Sequence, residues 1–96
     1  MKLSIKSTVT ATAILAALTY TASAMSGNDW ADISDEARIG YALGVADTSL
    51  NVCVPDATGR QLADIGLRYI KQHPEIRHYK ANRLLVSAFN EAWPCK

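Results

Sequence analysis

The first 24 residues limit everything that follows, because they carry the three zones of an export signal and leave only 72 of the 96 residues to build a fold. Lys2 and Lys6 form the positive start, and Val9 to Leu18 the apolar middle. Ala22, Ser23 and Ala24 supply the small side chains that place a signal-peptidase cut between Ala24 and Met25. An uncleaved membrane anchor fits less well, since threonines break the apolar zone and it is shorter than the ~20 residues that span a bilayer. The expected organisation is a signal peptide over 1–24 and one exported domain over 25–96, working outside the cytoplasm.

A domain this short is near the size at which a hydrophobic core alone barely suffices. It holds two cysteines, Cys53 and Cys95, in a compartment where thiols are oxidised, so a single disulfide is the default reading. Closing a loop of about 42 residues, that bridge stabilises the domain by about 4 kcal/mol in the chain-entropy model. Removing Lys2 and Lys6 with the signal leaves eight basic residues against nine acidic ones, interleaved along the chain. This is not the balance of a nucleic-acid binder. No later segment approaches membrane-spanning length, so no membrane contact is expected after cleavage.

The punctuation of residues 25–96 predicts an all-α, single-domain bundle of three to four helices. A first helix begins at Ser34, a capping residue followed by Asp35 and Glu36 at the positive end of the helix dipole, and runs to about Ser49. Ala37, Tyr41, Ala42, Val45 and Ala46 are its expected buried face. Asn51 to Ala57 read as a connection, with Pro55 and Asp56 as turn formers. A second helix starts at Thr58, which forms a capping box with Gln61, and ends at His73 and Pro74. Its expected stripe is Leu62, Ile65, Tyr69 and Ile70, with Asp64 and Arg68 as an ion pair on the wet side. A third helix carries Ala81, Leu84, Leu85, Ala88, Phe89, Ala92 and Trp93 at helical spacing and stops at Pro94. Only a weak signal marks a further helical turn around Asn28 to Ala31.

Few residues suggest chemistry. His73 and His78 are five apart with a proline between, so they do not share a helical face, and no carboxylate stands at ligand spacing. Asp29, Asp32, Asp35 and Glu36 lack the glycine turn and distal glutamate of a calcium loop and read as a solvated helix start. Ser49 and Ser87 have no base and orienting acid nearby. No enzyme activity, metal or cofactor is expected. Gly40 and Gly44 lie four apart in one helix at a cost of about 1 kcal/mol each against alanine, which predicts a close approach by another element, most simply the third helix and otherwise a partner. Asp35, Glu36, Arg38 and Asp47 around them rule out a membrane role for that spacing.

Taken in order, GYALGVAD, CVP, TGRQLADIGLRYIKQHPEIRHYKA and LLVSAFNEAWPC resemble the Tai/Rap-type immunity proteins, over residues 38–95. The most specific parts are HPEIRH and AFNEAWPC at their spacing after GYxxGVxD. That resemblance implies a small periplasmic all-helical inhibitor, commonly a homodimer, which binds a peptidoglycan amidase effector of a type VI secretion system. Matching positions are Gly40, Tyr41, Gly44, Val45 and Asp47 in the first helix, Cys53 and Pro55 in the connection, and His73, Pro74, Arg77, His78, Pro94 and Cys95 later. Relatives often carry a further cysteine just before the Gly-Tyr pair and a partner upstream of it. Here Arg38 and Ile39 stand there and no upstream cysteine exists.

Two segments are the candidate partner contacts under that resemblance. One is the tethered connection, with Asn51, Val54, Pro55 and Asp56, where preorganisation lowers the entropy lost on binding. The other is the junction His73 to Lys80, with Arg77 and His78. The competing function is a periplasmic acid-stress chaperone of the HdeA kind, also small, helical and single-bridged, for which the acidic cluster would act as the sensor.

Overall fold

The computed structural model describes residues 24–96; the proposed signal peptide and its apolar zone lie outside the described residues. Four α-helices follow one another: α1 Gly27–Asp32, α2 Asp35–Thr48, α3 Gly59–Gln72 and α4 Ala81–Ala92. A single 3₁₀ turn, Pro74–Ile76, links α3 to α4. No strand forms among the described residues, where an isolated antiparallel bridge pairs Ser26 with Lys80. The expected all-α bundle stapled by one disulfide is what is found.

The starts of α2 and α3 follow the capping chemistry. The Ser34 hydroxyl accepts from the Ala37 N–H at 3.3 Å, and the Thr58 hydroxyl accepts from the Gln61 N–H at 3.1 Å. Acidic Asp35 and Glu36 occupy the first turn of α2. At the far end of α3, His73 turns out of helical geometry and Pro74 starts the 3₁₀ turn.

α3 and α4 face each other with strongly amphipathic surfaces. From α3, Leu62, Ala63, Gly66 and Ile70 are buried, while Ile65 and Tyr69 are half-buried at the margin. The stripe is therefore turned toward Ala63 and Gly66 relative to the expected one. From α4 come Ala81, Leu84, Leu85, Ala88 and Phe89. The Asp64–Arg68 ion pair does not form; among the described residues the ion pair is Arg38 with Asp35. Long exposed side chains gain little from being held together in water, and the entropy of fixing them opposes it.

α1 is the element that periodicity barely signals, yet it delivers the largest side chain of the core. Trp30 is 0 % exposed. Its ring reaches α3 at Gly66, where an added Cβ would come within 2.8 Å of Trp30 Cη2 and would collide with Leu85. Gly66 is thus a socket for the indole. Backbone pairing holds the segment leading into α1: the Ala81 N–H donates to the Met25 carbonyl at 2.7 Å, Gly27 N–H to the Tyr79 carbonyl at 2.9 Å and Asn28 N–H to the Arg77 carbonyl at 3.0 Å.

α2 differs from expectation in its facing. Ala42 and Val45 are buried and Tyr41 and Ala46 half-buried, but Ala37 is exposed. Ile39 and Leu43 lean over the start of α3 instead, where Gly59 makes room for them; a Cβ there would meet Ile39 Cγ2 at 2.7 Å. Gly40 and Gly44 point the other way and are exposed, with nothing within 4 Å of an added Cβ. The expected close packing of this glycine pair against α4 is overturned. Helix periodicity explains it, since residues 39, 42, 45 and 46 occupy the inner face, 43 its margin, and 36, 40, 44 and 47 the outer one.

Candidate functional site

The connection between α2 and α3 is a tethered, extended segment. Cys53 is bonded to Cys95 with their Cα atoms 5.3 Å apart, and both described cysteines are used. Val52, Val54 and Ala57 turn inward and pack on the core, while Asn51, Cys53, Pro55 and Asp56 face out. Of the four loop residues singled out from the sequence, Asn51, Pro55 and Asp56 are open to a partner and Val54 half serves the core. Leu50, just before them, is fully exposed. Sequence reasoning passed it over, because a leucine next to a helix end looks like core; its isolation shows only once the helix ends at Thr48.

The junction after α3 is more committed than its sequence suggests. His73 stacks on Tyr69 with ring centroids 4.2 Å apart, and its Nδ1 lies 2.8 Å from the Tyr69 carbonyl. That ring closes the end of α3. His78 sits edge-on to Tyr79 at 4.7 Å. The two histidines do not converge, and among the described residues no three metal-ligating side chains come together. The carbonyls of Arg77 and Tyr79 hold the segment leading into α1, while the side chains of Arg77, His78 and Tyr79 remain exposed. Pro55 and Asp56 precede the first turn of α3, and Arg77 and His78 follow its last. Fourteen helical residues separate them, about 20 Å of axis. The two candidate contacts are therefore separate surfaces.

The remaining motif positions divide between support and display. Val45 is buried. Tyr41 is half-buried; burial raises its phenol above the ordinary 10.0, opposed by a backbone hydrogen bond from Asn82. Gly40, Gly44 and Asp47 form an open face on α2, and Pro94 is exposed beside the disulfide. Arg38 sends one guanidinium nitrogen to the carbonyls of Ala31 at 2.9 Å and Ile33 at 2.6 Å, and another to Asp35. It pins the end of α1 to α2. A polar clamp thus ties the segment upstream of α2 to that helix.

Several depressions mark the surface around these elements. One of about 650 Å³ runs between α3 and the end of α4, with Ile65 and Trp93 among its walls and Arg60, Asp64 and Arg68 on its rim. A second, of about 340 Å³, opens between α1, α3 and the junction, and includes Lys71 and Arg77. A third, of about 310 Å³, lies beside Asn51 and the first half of α4. No helix among the described residues is long and apolar enough to cross a membrane.

Fold and surface define a small helical domain, closed by one disulfide, whose distinguishing features are a tethered loop and charged clefts. The family model of the Rap1a immunity proteins matches residues 10–95, and the chain belongs to that family. It is an immunity protein, and its partner is a protein effector. No curated protein and no solved structure is detectably similar.

Proposed function

We propose that this chain is a periplasmic immunity protein that binds and inhibits a peptidoglycan amidase effector delivered by a type VI secretion system. The observation that carries the reading is the Rap1a family match across residues 10–95. The export signal in the first 24 residues supports it, because a cell-wall amidase acts outside the cytoplasm. The disulfide Cys53–Cys95 belongs to the same compartment. The protein acts by stoichiometric occlusion, without catalysis and without a cofactor.

The mature chain begins at Met25. Its contact with the effector centres on the tethered loop, where Asn51, Pro55 and Asp56 are exposed and the bridge reduces the freedom lost on binding. Leu50 adds an apolar side chain already presented to solvent. A homodimer would double that surface. The test is to mix residues 25–96 with the amidase encoded beside this gene. A stable complex and abolished peptidoglycan cleavage are expected; no binding to that amidase, or cells left unprotected when the effector is exported, refutes the role.

A further inference from the structure

We propose that the cleft between α1, α3 and the 73–80 junction receives an acidic side chain of the effector, held by Lys71 and Arg77. The inference rests on the immunity reading only for the identity of the partner; the preference for a carboxylate rests on the cleft itself. The cleft measures about 340 Å³ and has an apolar floor of Leu67 and Ile70.

Three cations and one carboxylate line this space. Arg38 is already consumed by two backbone carbonyls and Asp35. Among the described residues Lys71 and Arg77 have no carboxylate within ion-pair distance, and Asp32 is the one carboxylate lining the cleft with them. The cleft is left with one uncompensated positive charge. The C-terminal end of α3 contributes about half a negative charge nearby, which lowers that excess but leaves the cleft positive.

Geometry makes the pair usable. The Arg77 carbonyl accepts from the Asn28 N–H at 3.0 Å, so the side chain springs from a fixed backbone. Lys71 rises from the last turn of α3, itself closed by His73. A carboxylate between an ammonium and a guanidinium gains charge-assisted hydrogen bonds, and a partner's methylene groups over Leu67 and Ile70 would exclude the water that screens them. By contrast, the larger α3–α4 groove alternates Arg60, Asp64 and Arg68 along its rim and has no such preference. It serves as the control surface.

The experiment has two arms on the mature, oxidised protein. In the first, isotope-labelled protein is titrated with N-acetyl-glutamine amide, N-acetyl-glutamate amide and inorganic phosphate while amide resonances are followed. The glutamate probe is expected to shift Asn28, Lys71 and Arg77 saturably, and the effect should fade between about 50 and about 300 mM salt, as exposed charge contacts do. The neutral probe should leave them still. Absence of a localised shift, or a stronger response to phosphate at the same residues, overturns the proposal. In the second arm, Lys71→Ala with Arg77→Ala is expected to weaken binding of the neighbouring amidase roughly tenfold or more with an unchanged melting temperature. Arg60→Ala with Arg68→Ala should change it less than about threefold. Equal binding by the Lys71/Arg77 variant refutes the cleft and leaves the immunity reading standing. A wild-type protein that ignores the amidase yet takes the glutamate probe at Lys71 and Arg77 does the reverse.

Discussion

The two ends of this bundle are closed by different means. Near the start of α3 and the end of α4, one covalent bond joins Cys53 to Cys95. At the far end, closure is non-covalent: three backbone hydrogen bonds join residues 25–28 to 77–81, and Trp30 fills the socket at Gly66. A disulfide acts on the unfolded chain and asks little of the residues around it, so Asn51, Pro55 and Asp56 stay exposed. Closure by packing consumes backbone groups and the largest side chain of the core. The end held by sulfur is free to present a loop, whereas the end held by packing contributes mainly fixed side-chain stems.

Truncating Trp30 should be the most damaging single change. Trp30→Ala removes a fully buried indole, for which large-to-small substitutions cost about 3–5 kcal/mol, and urea titration of the oxidised protein should find it at the upper end of that range. Opening the other end should cost somewhat less. Replacing both Cys53 and Cys95 by alanine is expected to lower stability by about 4 kcal/mol at most, since compact denatured states reduce the loop-entropy effect. If the double alanine variant is hurt more than Trp30→Ala, the covalent end is the dominant one and the comparison reverses.

The open face of α2 supplies a smaller effect of opposite sign. Gly40→Ala and Gly44→Ala meet no neighbouring atom and should each raise stability by about 0.5–1 kcal/mol through helix propensity, measured by thermal melts. A loss of stability would show that another surface approaches this face in solution. The smallest effect concerns Tyr41. A phenol whose folded pKa is raised contributes stability that is complete below pH 10.0 and disappears as pH rises through the folded value. Tyr41→Phe should therefore remove that component of the alkaline decline, seen as a flatter stability profile above pH 10.0.

These comparisons also show what was readable in the chain. Caps at Ser34 and Thr58 and the periodicity of α4 are local signals, and they placed α2, α3 and α4 within a residue or two. Trp30 was not readable as core because α1 is six residues long and offers no repeat; its burial depends on a missing side chain at Gly66, 36 positions away. Gly40 and Gly44 were misassigned for the converse reason: glycine spacing says that a backbone is bare, but not which way it faces. The loop residues were found because a bridge and a proline are visible in one dimension. The Lys71–Arg77 cleft was not, since it exists only where the junction folds back beside α1.

The hydrogen bond from Ala81 to the Met25 carbonyl has a consequence for timing. A chain threaded through a pore with its N-terminus leading would deliver Trp30 long before Gly66, Leu84 and Leu85 arrive to enclose it. Closure between residues so far apart along the chain is slow, because the entropy of the intervening loop is lost before the contact forms. The polypeptide would remain unlocked while it passes and snap shut only when α4 has emerged.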